Sequence, residues 1–186
     1  GSHEFHLGDI ADVSVTDLKG SADLMWGSFP CQDLSLAGSG GGLNSARSGT
    51  FWHFERLLAE LVRENRGPKI VAIENVCGAL SSNNGRDFAS LCSAFVTNGY
   101  KVGALVIDAS HFVPQSRPRL FVFAVSHHVD LPSAIVSSGP KPLWHSKALL
   151  SAHQKLPSRV TDNWVWWNLP EPRLDVPHLL ELLEFD

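Results

Sequence analysis

A cysteine between an apolar segment and a glycine-rich one is the first candidate for chemistry in this chain. Cys31 lies in a Pro-Cys-Gln tripeptide, after the apolar segment 22–29 and before the Ser/Gly-rich segment 35–42. The first segment is typical of a buried strand and the second of a loop. Because open α/β sheets bind ligands at the carboxyl ends of their strands, Cys31 is a candidate nucleophile. The alternative is that it packs as a small apolar residue.

An acid and two arginines lie beside two further apolar segments. Glu74 directly follows the run 69–73, and Arg117 and Arg119 directly precede the run 120–125. If these segments are strands that meet at one edge of a sheet, their polar residues converge with the thiol on one cleft. The alternatives are that Glu74 caps the next helix and that the arginines belong to a solvated turn.

Taken together, the three groups of residues closely resemble the motifs of a known family. Pro-Cys-Gln at 30–32, Glu-Asn-Val at 74–76 and Gln-x-Arg-x-Arg at 115–119 are similar, in order and spacing, to motifs of the DNA cytosine-5 methyltransferases. The resemblance covers roughly residues 8–126. It implies S-adenosylmethionine as the cofactor and duplex DNA as the partner, with the target cytosine flipped out of the stack.

The resemblance also implies a role for each residue of the motifs. The Cys31 thiolate would add to C6 of cytosine and make C5 nucleophilic enough to accept a methyl group. Glu74 would protonate N3, Arg119 would hold O2, and Arg117 would hold a phosphate or brace a loop. The other implied contacts are with DNA by Gln32, Ser35, Arg47 and Gln115, with the cofactor by Asp9, Ile10, Pro30 and Phe51, and with the backbone beside the thiol by Asn75 and Val76.

Hydrophobic periodicity predicts the elements that must position these residues. Apolar residues at helical spacing predict helices at 49–65 and 85–97, and an apolar run predicts a strand at 100–107 in addition to those already named. Alternation of strands and helices with short links predicts an α/β, doubly wound sheet. The segment 35–48 resembles the family's closing loop, whereas the alternative is a plain linker.

Two parts of the family pattern are absent from this sequence or barely begun, a glycine-rich turn and the target-recognition domain with the closing motifs that follow it. The sequence contains no Phe-x-Gly-x-Gly turn, which in the family holds the methionine part of the cofactor. We therefore expect a partial Rossmann-like sheet that lacks its first strands, an incomplete cofactor pocket, and an open apolar edge along 24–29. A short apolar helix is predicted at 176–183. The predicted divisions are a tag remnant at 1–5, a partial catalytic domain at 6–130, and at 131–186 the start of a target-recognition region or a C-terminal extension.

The missing parts leave more than one class of function open. The first is an enzyme fragment or split-enzyme subunit that acts with a complementing polypeptide or associates with itself. The second is a non-catalytic relic with a binding or structural role, and methylation of cytosine in RNA is a third. The presence of Cys31, Glu74 and Arg119 together favours the first class.

Composition limits the class of protein more than its function. The 186 residues are enough for one domain with a sizeable core, and no apolar run is long enough to span a membrane. The net charge of −4 is unusual for a DNA-binding protein, and the absence of a basic recognition domain would explain it. None of the three cysteines has C-x-x-C spacing, so we expect no metal, and a cytoplasmic or nuclear rather than secreted protein.

Overall fold

The central element of the fold is a four-stranded mixed sheet. The computed structural model describes residues 5–29 and 49–172. The strands, in chain order, are β1 (Leu24–Ser28), β2 (Ile70–Val76), β3 (Tyr100–Asp108) and β4 (Pro118–Ser126). Their order in the sheet is β1-β2-β4-β3, with β1 parallel to β2 and β4 antiparallel to both of its neighbours. The start of β4 therefore lies beside the end of β2.

Two amphipathic helices, α1 (Thr50–Arg63) and α2 (Arg86–Thr97), cover one face of this sheet. Apolar residues recur along each helix every three to four positions, so one side of each helix is buried. At Gly27 in β1, an added Cβ would lie only 3.1 Å from the Phe54 ring, so the glycine lets α1 approach the sheet closely. No helix within 5–29 and 49–172 is both long enough and apolar enough to cross a membrane.

The chain after β4 packs back onto the sheet. It contains a two-stranded pairing of β5 (Val136–Ser137) with β6 (Trp166–Trp167), and the helices α3 (Lys147–His153) and α4 (Ser158–Thr161). Side chains of this region share the main core with α1 and α2; they are Leu149, Ala152, Leu156 and Val160. Trp167 packs with Leu105, Val125, Trp144 and Val165 in a second cluster. Trp144 and Trp167 are thus packing residues.

These elements agree closely with the boundaries predicted from periodicity, and the predicted α/β class is confirmed. The sequence patterns did not predict the direction of β4, which is antiparallel to both β2 and β3. A short loop joins β3 to β4, and strands need a long crossover to pair in parallel. The patterns also did not predict α3 and α4. The division at residue 131 stays a prediction, and the predicted helix at 176–183 and segment 35–48 lie outside the described residues.

Strand β1 forms one edge of the described sheet. Leu24 and Trp26 are 50% and 53% exposed, and Ile70, which pairs with Leu24, is also exposed. Because side chains alternate along a strand, these residues lie on the face opposite Gly27 and α1. Within the described part of the chain, β1 pairs on one side only and carries exposed apolar side chains, and the open edge itself stays a prediction.

Candidate active site

An acid and an arginine meet where β2 ends and β4 begins. Arg119 is the second residue of β4 and pairs with Val76 at the end of β2. Its Nε lies 3.1 Å from Oε1 of Glu74, and the two side chains are 22% and 23% exposed. The predicted convergence of Glu74 and Arg119 is therefore present. Partial shielding from water strengthens such a pair relative to a fully exposed one.

The second oxygen of Glu74 accepts a hydrogen bond from the hydroxyl of Ser28. Ser28 is the last residue of β1, and the parallel register places it directly beside Glu74. Groups from two different strands thus fix the orientation of one carboxyl group. Sequence reasoning did not select Ser28. Its position, three residues before Cys31 at the end of an apolar run, was the available signal.

A buried amide connects β2 to the chain that leads toward the predicted nucleophile. Asn75 donates through Nδ2 to the carbonyl oxygen of Phe29 at 3.0 Å. Its Oδ1 accepts from the backbone N–H of Val76 at 2.8 Å. Both polar atoms of this buried side chain are therefore satisfied. Because Phe29 lies two residues before Cys31, the contact supports the prediction that Asn75 sets the backbone beside the thiol.

Arg117 and Gln115 lie in the loop 109–117, which leads from β3 into β4. Both side chains are exposed. The backbone N–H of Gln115 donates to the carbonyl oxygen of Val113 at 2.7 Å, so Gln115 belongs to a tight turn. The loop brings these two residues to the same edge of the sheet as Arg119, and their contacts with DNA stay predictions.

The two described thiols are poorly suited to nucleophilic attack. Cys92 is completely buried in the core, and burial raises the pKa of its thiol well above the ordinary value. Cys77 follows β2 directly, and burial raises its pKa by more than the nearby charge of Arg119 lowers it. The thiolate is the reactive form of cysteine, so both are weak nucleophiles at neutral pH. Cys31, Pro30, Gln32, Ser35 and Arg47 lie outside the described residues, and their roles stay predictions.

The described residues predicted to contact the cofactor do not form a pocket. Phe51 is 2% exposed and packs against the rings of Phe29, Trp52 and Phe95. Asp9 is exposed and uses one carboxylate oxygen to cap a short helical turn, at 2.9 Å from the N–H of Ala11. Ile10, in that turn, packs against the core. As they stand, these side chains do not fit a binding site for S-adenosylmethionine.

Comparison with known proteins gives a family match over most of the chain. Residues 2–167 match the model of the C-5 cytosine-specific DNA methylases. The chain is 30% identical over 188 residues to the Type II methyltransferase M.Eco47II of Escherichia coli, an alignment that covers 88% of this chain. It is 35% identical over 138 residues to the Type II methyltransferase M.Sau3AI of Staphylococcus aureus, covering 70% of this chain.

The same alignments cover less than half of each relative. They span 43% of the length of M.Eco47II and 32% of that of M.Sau3AI. Among solved structures, one assigned as a DNA modification methyltransferase encoded within an E. coli prophage superposes with a TM-score of 0.51 at 21% identity. That superposition covers 71% of this chain and 37% of the other. A likeness at this identity shows the fold.

Proposed function

The chain belongs to the C-5 cytosine-specific DNA methylase family, and from this premise we propose that it performs the base-activating part of methyl transfer to C5 of cytosine in DNA. The observation that carries the proposal is the pair formed by Glu74 and Arg119. It lies at the edge of the sheet where β1 ends, and Cys31 follows β1 by three residues. The proposed nucleophile and the proposed acid thus come from neighbouring parallel strands.

In this proposal, the chemistry begins with attack on the ring. The thiolate of Cys31 forms a bond to C6, and the electrons of the C5–C6 double bond move toward N3. Glu74, after taking up a proton from water, gives that proton to N3, which leaves a neutral ring with an enamine-like, nucleophilic C5. After the methyl group has been received at C5, loss of the C5 hydrogen as a proton, return of the N3 proton to Glu74 and departure of the thiolate restore the double bond and the neutral base. Without the proton at N3, the ring would carry the negative charge of the attack.

Arg119 has a second task in the same proposal. Its guanidinium is planar and carries several N–H donors, so it can hold Glu74 through Nε while another N–H reaches the ring oxygen O2. The contact with Oε1 uses Nε, and Nη1 donates to the carbonyl oxygen of Pro118 at 2.9 Å. In this proposal the N–H groups of Nη2 reach the base. Arg119 would therefore align the ring with the acid.

The family generally uses S-adenosylmethionine as the methyl donor. In the proposed reaction it would supply the methyl group to the activated C5. Because Asp9, Ile10 and Phe51 do not form a pocket for it, we assign to this chain the activation of the base. The exposed edge of β1 suits pairing with a further strand, from a complementing polypeptide or a second copy of the chain.

Base activation can be measured without the methyl donor. Attack at C6 lets C5 exchange its hydrogen with water, so DNA labelled with tritium at C5 of cytosine should release the label. Unmethylated genomic DNA is a suitable substrate, because it contains every short recognition sequence. We expect Cys31→Ser to abolish the release, while Cys77→Ser and Cys92→Ser keep it.

A second probe captures the covalent bond itself. With a complementing family polypeptide and S-adenosylmethionine present, DNA containing 5-fluorocytosine should form an adduct that resists denaturation, because fluorine cannot leave C5 as hydrogen does. Trapping or tritium release that persists in Cys31→Ser would overturn the assignment of the nucleophile. Release of tritium from labelled RNA but not from labelled DNA would show that RNA, and not DNA, is the substrate.

A further inference from the structure

We propose that Asp108 is a positioning residue, whose carboxylate holds the loop 109–117 so that Arg119 reaches Glu74. The inference rests on the proposed function for its catalytic consequence. Asp108 lies outside the three sequence motifs, and it is the last residue of β3. It would act through the loop and would not touch the base.

The carboxylate of Asp108 joins the two ends of this loop. Its Oδ1 accepts hydrogen bonds from the backbone N–H of Ser110 at 2.9 Å and of Arg117 at 2.7 Å. Its Oδ2 accepts from the hydroxyl of Ser116 at 2.9 Å. One side chain therefore holds the first turn of the loop and its final residues at the same time. Hydrogen bonds to a charged acceptor are stronger than those between neutral groups.

Capping of the short helical turn Ala109–His111 does not explain this arrangement. A cap accounts for the bond from Ser110, since it lies two positions away. The bonds from Ser116 and Arg117 come from eight and nine positions along the chain. The backbone also closes the base of the loop, from Ala109 N–H to the carbonyl oxygen of Arg117, but at a longer 3.3 Å.

The position of a proline shows why β4 needs this support. In the sheet register, Asp108 is paired with Pro118, the first residue of β4. Proline has no N–H and cannot donate to the ladder. The N–H of the preceding Arg117 donates to the carboxylate of Asp108 instead, and so anchors the start of the strand. Arg119, which contacts Glu74, is two residues further on.

The carboxylate is ionised at neutral pH. Hydrogen bonds from the backbone of Ser110 and Arg117 lower the pKa of Asp108 to about 2. The hydrogen bonds to the charged carboxylate therefore persist under ordinary assay conditions. Asp108 and an uncharged substitute at this position can thus be compared at a single pH.

Two substitutions at Asp108 separate the hydrogen bonds from the charge, and a third substitution, at Asp17, is the control. Asp108→Asn keeps Oδ1 as the acceptor for both backbone N–H groups, and its amide nitrogen can donate to the Ser116 hydroxyl. Asp108→Ala removes all three bonds. Asp17→Ala is the matched control, because it removes a carboxylate that accepts the backbone N–H of Ser14 at 2.8 Å in a turn remote from β4 along the chain. A chemical denaturation midpoint for each variant shows whether the fold is retained.

The first readout is spectroscopic and needs no substrate. The NMR signal of the Arg119 Nε–H group reports its contact with Glu74. We expect Asp108→Ala to shift or broaden this signal and to expose the amide of Arg117 to hydrogen exchange. We expect Asp108→Asn and Asp17→Ala to leave both unchanged. An unaltered Arg119 signal in a folded Asp108→Ala variant would overturn the inference, whether or not the chain acts on cytosine.

The second readout is tritium release from C5. We expect Asp108→Ala to lower its rate by about 10- to 100-fold, as a displaced positioning group would, and Asp108→Asn to restore it. Wild-type release in Asp108→Ala would show that the loop is not held for catalysis and would leave the proposed function intact. Absence of release from the wild-type chain with its complementing polypeptide would overturn the proposed function, while the Arg119 signal still decides the role of Asp108.

Discussion

Glu74 receives a hydrogen bond or ion pair from each neighbouring strand, so its carboxyl group is oriented before any base binds. Glu74→Gln preserves the size of the side chain but removes the proton that N3 would receive. We expect the rate of tritium release to fall by about 10²- to 10⁴-fold, the usual contribution of general acid catalysis. Glu171→Gln, at an exposed carboxyl group, should have no effect. A wild-type rate in Glu74→Gln would contradict the assigned acid.

The shape of the Arg119 side chain matters in addition to its charge. It contacts Glu74 through Nε, which sits at a fixed angle to the other guanidinium nitrogens. Arg119→Lys keeps the positive charge but replaces the planar group by a single ammonium. We therefore expect Arg119→Lys to remain impaired in both tritium release and adduct formation, close to Arg119→Ala. Recovery of the wild-type rate in the lysine variant would show that charge alone is required.

At the scale of elements, the C-terminal region can cross β3 closely because residue 103 of that strand is a glycine and has no side chain. A Cβ at Gly103 would lie 2.0 Å from the carbonyl oxygen of Val165 and 2.6 Å from Nε1 of Trp167. Gly103→Ala should therefore destabilise the fold by about 1–3 kcal/mol, as overpacking does. Gly139→Ala is the control, because no atom lies within 4 Å of the added Cβ. Equal urea midpoints for the two variants would refute this packing.

We expect the contacts of His145 and His153 with Trp166 of β6 to give stability a dependence on pH. His145 and His153 flank Trp166, with ring centroids 4.9 and 4.6 Å from it, and burial lowers the pKa of both histidines from 6.5. In His145 the backbone of Lys141 opposes this effect. A depressed pKa favours the neutral ring, so the stabilisation is present above pH 6.5 and is lost as pH falls toward the folded-state values.

Urea unfolding at several pH values tests this dependence. The free energy of unfolding of the wild type should decrease below pH 6.5, and His145→Gln should make the decrease smaller. His128→Gln, at an exposed position, should keep the wild-type profile. A His145→Gln profile parallel to that of the wild type would exclude His145 as a source of the pH dependence.

The sequence predicted those parts of the site that depend on local patterns. Apolar runs located β2 and β4, and the motifs placed Glu74 and Arg119 at their ends. The contacts made by Ser28 and Asp108 depend on strand register and on how a loop closes. Ser28 donates to Glu74, which lies 46 positions away along the chain. Two of the donors to Asp108 lie eight and nine positions away from it. No local periodicity encodes such distances. The helices α3 and α4 were missed because they are short and lie between prolines and tryptophans.

At the scale of the whole molecule, one flank of the described sheet is apolar. Among residues 5–29 and 49–172, no strand pairs with the outer edge of β1, and this strand carries exposed Leu24 and Trp26, with Ile70 beside them. An edge strand with exposed apolar residues tends to recruit another strand, and a contiguous apolar patch favours association. We predict that the chain associates with itself, or with a complementing polypeptide of its family, through this flank.

Sedimentation velocity and calorimetry test this association together with the predicted lack of cofactor binding. We expect the chain to form dimers or larger species, and Trp26→Lys to shift it toward the monomer, because a charged residue on an edge disfavours strand pairing. Phe112→Lys, which changes an equally exposed aromatic residue away from β1, should leave the association unchanged.

Calorimetric titration with S-adenosylmethionine should show negligible binding to the chain alone, since Phe51 is enclosed by other aromatic rings and Asp9 caps a turn. A compact monomer that binds the cofactor at micromolar concentration would contradict both expectations, since it would require a complete pocket and a covered β1 edge within this chain.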